Sequence, residues 1–572
     1  MKTKILFLFC GLLTISNLVS QVEVAPKQYE EYKRLPQENI YVHFNTNFLL
    51  VGESLFYKVY CLNKQTKKMS NLSKIAYVEL LDKDLKSVYK DKIKIKNGVG
   101  QGDFFISKNL ASGNYKLIAY TNWMKNKNEF YNENVYLINP YSQKLISENT
   151  GVNELIKSNI EVLDHSNTIS LNKQTFKKRE KVVVNAKKLN DFGGSYSISV
   201  RKKSPDFFKK KSTVKKYTTS NYTSNIKYLA KNLKTNELVL PDFRGQLIIG
   251  NVHDEKTNKG VENKIVGLSF IGKKGFYKTA VTNQKGVFYF NVDEEQYPSK
   301  GFIQLLDANT ENTKLKIEII KNKDLDFSEL KFNEIKTNDV LDSIIDQRSI
   351  YTQIENTFSE KKQDSILQGK STQQLYLEDF KAYKLDDFNR FKTLKETIIE
   401  VLDIVSFKKK EDQYIFKIER EKLNYVYIYA PLVVIDGYIV KHHGDIINYD
   451  AKGIDEILVS QKIYQFSGGF YGGIIYIKTF NGDFKPKINQ DVFQLEMEPL
   501  ELEKNYYNGG SNIINKRIPD YRIQLLWNAN LNIDSKELSF YTSDIKGVYE
   551  IDIQGYTQQG KPISIQKEFT VE

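Results

Sequence analysis

Along most of this chain, apolar side chains return at every second position instead of every third or fourth. Tyr549, Ile551 and Ile553 alternate with Glu550, Asp552 and Gln554, and Tyr196, Ile198 and Val200 alternate with Ser197, Ser199 and Arg201. Successive side chains leave a strand on opposite sides, so period two predicts strands with one buried face. Helical spacing is the exception. Leu341, Ile344, Ile345, Ile350, Ile354 and Phe358 predict one amphipathic helix over 340–358. With 37 Tyr and 33 Phe against 11 Pro, the composition favours packed β-structure over disorder. At about 100 to 150 residues per domain, the chain should hold four or five units.

The opening follows a different logic. Lys2 and Lys4 supply positive charge, Ile5 to Leu13 a short apolar core, and Leu18-Val19-Ser20 a small residue at a cut site. Residues 1–20 therefore read as a signal peptide, and the chain is expected to be exported. Its apolar run falls short of the roughly 20 residues that cross a bilayer, and no later segment approaches that length. Cys10 lies inside the apolar core and lacks the small residues expected before a lipidated cysteine. Beyond the leader only Cys61 remains, so no internal disulfide is expected, and Cys61 reads as a buried small apolar residue. A net charge of +14 would suit an acidic partner such as anionic lipid or lipopolysaccharide phosphate. The lysines are spread along the whole chain, which favours a merely solvated surface. An exported chain is not expected to meet nucleic acid.

Strand and turn signals divide the remainder. After a lead-in over 21–39, a β-sandwich is expected over 40–150 and a second over 155–203, with an extension to 240 left open. Between Arg201 and Lys216, eight basic residues face Asp206 alone, so part of this second unit reads as a mobile linker. A third sandwich is placed at 244–325, a helical or loop connector at 335–392, a small α+β unit at 393–485 and a terminal sandwich at 490–572. The overall expectation is a mainly β protein, a string of sandwiches with one or two linking helices.

Four of these stretches resemble known families. Ile40-Tyr41-Val42-His43-Phe44-Asn45 and Phe48-Leu49-Leu50-Val51-Gly52-Glu53-Ser54-Leu55-Phe56, with Gly102-Asp103-Phe104 and Ser112-Gly113-Asn114-Tyr115 further on, resemble a macroglobulin-like sandwich domain. That family usually has Pro where Val51 stands. Leu247 to Val252, the turn at Asn258-Lys259-Gly260, and Asn283-Gln284-Lys285-Gly286 before Val287-Phe288-Tyr289-Phe290 resemble a carboxypeptidase-regulatory-like domain, a sandwich that performs no catalysis itself. Thr393 to Val401, Ala430-Pro431 to Val440, Ile454 to Val459 and the glycine-rich Ser467 to Thr479 resemble the plug of a TonB-dependent receptor. The terminal stretch, with Pro519 to Asn528 and Gly547 to Gly555, is similar to an immunoglobulin-like sandwich.

A receptor of the plug's family needs a barrel of about 22 tilted strands, several hundred residues more. Fewer than about 100 follow position 485, so the plug-like unit is expected to serve without its own pore. Residue chemistry adds no reaction. The five histidines (His43, His165, His253, His442, His443) form no zinc-holding spacing, and His442, His443 and Asp445 would converge only in a loop. There is no Cys-Gly-x-x-Gln thioester stretch, Gly-x-Ser-x-Gly elbow or phosphate loop. Neither a catalytic residue, a cofactor nor a metal ligand is assigned. The expected function is that of a non-catalytic envelope scaffold or accessory subunit, periplasmic or at the cell surface, which binds an outer-membrane protein complex such as a barrel. The alternatives are a glycan- or peptide-binding receptor and an unrecognised hydrolase, the latter requiring a cleft with perturbed carboxylates. The expected contacts are the Asp436-Gly437-Tyr438 hairpin and Gly469-Phe470-Tyr471. A membrane-spanning cylinder, or a buried constellation of reactive groups between domains, would defeat this reading.

Overall fold

The computed structural model describes residues 35–142, 168–186, 189, 193–203, 208, 210–223, 238–293, 297–306, 314–335, 338–367, 380–410, 413–419, 429–466, 469–489, 492–509, 517–531 and 538–572. The expected leader at 1–20 and the lead-in as far as 34 lie outside them. The architecture is mainly β and built of sandwiches, with few helices.

Eight strands come first: β1 (Glu38–Phe44), β2 (Phe48–Leu50), β3 (Ser54–Asn63), β4 (Ile75–Leu81), β5 (Ser87–Lys94), β6 (Val99–Phe105), β7 (Gly113–Tyr120) and β8 (Tyr131–Ile138). They make a sandwich, D1, from the sheets β1-β3-β6 and β2-β8-β7-β4-β5. Gly52, with φ +87°, supplies the left-handed residue of the β2–β3 turn without a proline before it. Next come β9 (Ser170–Leu171), β10 (Thr175–Phe176), β11 (Lys181–Asn185), β12 (Ser195–Lys202) and helix α1 (Val214–Thr223). A third group, D3, pairs β13 (Gln246–Asp254), β16 (Val287–Val292) and β18 (Leu315–Ile319) against β14 (Ile265–Phe270), β15 (Phe276–Val281) and β17 (Lys300–Leu305).

The predicted helix is α2 (Asp339–Thr357), capped by Asn338, whose side chain accepts from Leu341 N. Its buried Leu341 and Ile345 pack on Phe48, Leu50, Tyr136 and Ile138 of D1. After β19 (Ser365–Ile366), a further unit, D4, contains β20 (Lys381–Lys384), helix α3 (Leu394–Glu400), β21 (Val405–Lys410), β22 (Gln413–Ile418), β23 (Leu432–Ile435), β24 (Tyr438–Ile439), β25 (Ile454–Ser460), β26 (Tyr464–Phe466), β27 (Gly469–Tyr471) and β28 (Ile474–Thr479). Helix α3 starts in a reciprocal capping box of Thr393 and Glu396. The central sheet runs β20-β25-β28-β23-β24. D4 thus begins earlier than the expected 393, because β20 pairs with β25 and buries Tyr383.

The chain then returns across the molecule. β29 (Val492–Glu496) pairs with β17 of D3, β30 (Leu500–Glu501) with β5 of D1, and β31 (Lys504–Asn505) with β19. It ends in β32 (Gln524–Asn528), β33 (Leu538–Tyr541), β34 (Gly547–Tyr556) and β35 (Pro562–Val571).

Here the connectivity departs from expectation. The separate sandwiches expected at 155–203 and 490–572 are one domain, D2, with sheets β10-β35-β34-β12-β32 and β33-β11-β9. Among the described residues, only β9 and β11 pair within the first segment and only β34 and β35 within the second, so each sheet needs both segments; together they enclose Val182, Ile198, Val200, Ile551, Ile553 and Phe569. The linker expected after Arg201 is also corrected in part. Phe208 stacks 4.3 Å from Tyr136, the Lys211 ammonium lies 2.9 Å from Asp552, and Val214 is fully buried. This stretch therefore lies against D1 and D2.

Candidate functional site

The two regions expected to meet a partner have opposite environments. Asp436 (φ +49°) and Gly437 (φ +90°) form the turn between β23 and β24, both left-handed as an Asp-Gly hairpin turn requires. The Asp436 carboxylate accepts from Thr479 N (2.8 Å), Thr479 Oγ1 (2.6 Å) and Phe484 N (3.2 Å), and is 3% exposed. Its carbonyl accepts from Gly272 N of D3. A Cβ on Gly437 would sit 2.4 Å from the backbone of Gly275 and Phe276, so backbone meets backbone here. Tyr438 is buried, its ring 5.8 Å from Phe302 and 5.6 Å from Phe484. Edge strand β24 is completed by D3 side chains: Ile439 N donates to Ser269 Oγ (3.1 Å), and Gln304 Nε2 donates to Ile439 O (2.6 Å). The expected outward contact at Asp436, Gly437 and Tyr438 is thus corrected: a partner cannot reach them while D4 is docked on D3.

Gly469, Phe470 and Tyr471 lie elsewhere, on the β26–β27 hairpin; Ser467 and Gly468 fall outside the described residues. Tyr464 pairs with Tyr471 and Gln465 with Phe470. Alternation turns the two tyrosines toward Leu432, Leu458 and Ile474, which leaves Phe470 outward and 46% exposed. Its ring stands 5.4 Å from Tyr429, which is 43% exposed, and Ile463 beside the hairpin is 55% exposed. Gly472 permits this arrangement, since its Cβ would lie 2.3 Å from Tyr429 O. Three large exposed side chains next to one folded hairpin form a surface of D4 suited to a contact.

The histidines of D4 do not act together. His443 Nδ1 accepts from Phe416 N (2.8 Å), and burial, then His442, pushes its pKa down to about 4. His442 and Asp445 instead line a small cleft with Gln304, Tyr438, Lys441 and Lys487 at the D3–D4 junction. Among the described residues no group of three possible metal ligands forms.

A constellation of reactive groups does lie between D1 and D2. His43 on β1 has Nδ1 2.6 Å from Ser197 Oγ on β12 and Nε2 3.3 Å from Asp552 Oδ2 on β34. The residues are 154 and 509 positions apart, so no local motif marks them. Burial and the Lys211 ammonium push the His43 ring down to about 4. Against the opposite effect of its own burial, the Lys211 ammonium and then the hydrogen bond from His43 hold Asp552 well below the usual carboxylate range. The ring is therefore neutral at pH 7. Since an ionised carboxylate only accepts, Nε2–H donates to Asp552, and Nδ1 accepts from Ser197.

A serine hydrolase couples the ring through the opposite nitrogens, but access decides the matter. Ser197 is 0% exposed and His43 1%. The Tyr60 hydroxyl lies 2.8 Å from Ser197 Oγ, and the Gln554 carbonyl 3.4 Å from it. The positions a substrate carbonyl would need are thus occupied by protein. Perturbed carboxylates are similarly dispersed. Burial raises Asp91 to about 7, Asp242 to about 6 and Glu550 to about 7, yet they sit at separate places: beside Tyr57, beside Asn122, and on β34.

A second junction joins three elements. Glu53, in the β2–β3 turn, takes Arg348 of α2 through Nε (2.6 Å) and Nη2 (2.5 Å), and Arg201 of β12 through Nη2 (3.3 Å). All three side chains are at least 90% buried.

No family model matches the chain, and no curated protein matches it. Solved structures similar to it include Escherichia coli alpha-2-macroglobulin activated by porcine elastase (7% identity, 94% of this chain, 44% of that one, TM-score 0.23). Salmonella alpha-2-macroglobulin reacted with methylamine is similar at 8% identity over 93% of this chain and 39% of that one, TM-score 0.23. A tetra-tandem repeat from the extending region of a large adhesion protein follows at 6% identity, 94% and 100% coverage and TM-score 0.14. The chain spans less than half the length of those macroglobulins. At TM-scores this low the likenesses carry no argument.

Proposed function

We propose that the chain is a non-catalytic scaffold of the cell envelope that binds an outer-membrane protein, with D4 presenting the contact. The observation that carries the reading is the contrast within D4. Its Asp436–Ile439 edge is held against D3 by backbone contacts and side-chain hydrogen bonds, while Tyr429, Ile463 and Phe470 are directed to solvent. A unit held on one side with apolar groups offered on another is arranged for binding. The sequence resemblance to a receptor plug suggests the class of partner, a barrel protein, and the leader-like opening suggests the compartment. D1 and D3 remain, on resemblance, a macroglobulin-like and a carboxypeptidase-regulatory-like sandwich. The constellation between D1 and D2 is of the kind that counts against a scaffold, but Ser197 and His43 are closed to solvent and Tyr60 and the Gln554 carbonyl fill the space a substrate would need, which favours binding over hydrolysis.

The test is affinity purification of the tagged full chain in mild detergent, beside a variant carrying Ile463→Asp and Phe470→Asp. The expected outcome is one outer-membrane protein recovered in near-equal amount with the native chain and lost with the variant. Recovery of the native chain alone would overturn the proposal.

A further inference from the structure

D1 meets D2 through buried polar side chains, each of which divides its bonds between the two segments that make D2. Lys58 Nζ donates to Ser195 Oγ (2.8 Å) and Tyr196 O (3.2 Å) of the first segment, and to Ala529 O (2.5 Å) and Asn530 Oδ1 (3.3 Å) of the second. His43 reaches Ser197 of the first and Asp552 of the second. The Tyr60 hydroxyl lies 2.8 Å from Ser197 Oγ and 3.0 Å from Gln554 O. Lys58 and His43 are each 1% exposed and Tyr60 is 0%. Within D2, β12 of the first segment lies between β34 and β32 of the second.

We propose that D1 is the template on which the two segments of D2 close together in one step, so that D1 and D2 open and shut as a single unit. With one segment docked alone, Lys58 would be desolvated with half its acceptors, and His43 with one of its two partners. A half-satisfied buried network costs more than an unburied one. The one-segment intermediate is therefore disfavoured, and closure is all-or-none.

Hydrogen exchange on the full chain, read strand by strand, tests this. Phe569→Ala opens a cavity in D2 among Phe176, Phe540 and Tyr549. It should raise exchange in β12 and β34 by on the order of a hundredfold or more, and in β1 and β3 of D1 by the same factor, with D4 unchanged. If β1 and β3 keep native rates while β12 and β34 lose protection, the proposal is overturned. Should Phe569→Ala not fold, Ile565→Val at a buried D2 position carries the same comparison at a several-fold effect. Lys58→Met probes the other direction: β12 and β32 should lose protection together, and loss in one segment alone would also overturn it.

Discussion

Glu53 is a single carboxylate that neutralises one of two guanidiniums reaching it from different elements, Arg348 and Arg201. Glu53→Ala would leave both arginines buried without their anion, which should cost roughly 3 to 5 kcal/mol, whereas Glu53→Gln keeps acceptor oxygen and should cost less. Urea unfolding of the two variants checks the order. His43 supplies a pH dependence whose sign is fixed. Its folded pKa of about 4 lies below the ordinary imidazole value of 6.5, so the unfolded chain binds the extra proton first. Stability is complete above about 6.5, falls as pH drops toward 4, and there loses about 3 kcal/mol from this group. Asp552, also held low, removes more below its unfolded value near 3.9. In His43→Asn the slope between pH 6.5 and 4 should flatten in urea melts; an unchanged slope would assign it to other groups. None of these partners was legible in the sequence, because a side chain's chemistry is local whereas its partner depends on tertiary pairing across hundreds of residues.

At the scale of elements, much more could be read. Period two marked β12 and β34, helical spacing marked α2, and Asp436-Gly437 announced a hairpin turn whose two left-handed residues the structure contains. What escaped was the surface each element faces. The Asp436-Gly437 turn was expected as a contact for a partner, yet Gly275 in the D3 loop lets two backbones touch. Gly437→Ala should therefore do more than strain the turn. Its Cβ meets Gly275 and Phe276, so D4 should lose its seat on D3, and limited proteolysis should cut 481–491 faster than in the native chain. Asp436→Ala, which frees Thr479 and Phe484 of their acceptor, should destabilise D4 by roughly 2 to 4 kcal/mol. If neither variant alters cleavage, the contact is not what seats D4.

At the scale of the whole molecule, the expected string of sandwiches proves to be interlaced. D1 and D3 share one apolar cluster, D2 is closed by distant segments, and Val492–Glu496 and Leu500–Glu501 extend sheets of D3 and D1 in turn. Sequence spacing counts strands and finds turns, but it is silent on which strand pairs with which when the partners lie some 350 residues apart. Interlacing has a measurable consequence. Both tryptophans lie in the interlaced part: Trp123 donates to Pro36 O beside D1, and Trp527 stands between His43 and Phe56 where D2 meets D1. D4 contains neither. Urea unfolding followed by tryptophan fluorescence should thus show one transition, with a slope suited to several hundred residues exposed together. Far-ultraviolet circular dichroism should show a further transition, from D4, that fluorescence does not register. Biphasic fluorescence would mean that D1 and D2 part independently, and superimposed curves would mean that D4 belongs to the same cooperative body instead of being a module carried by it.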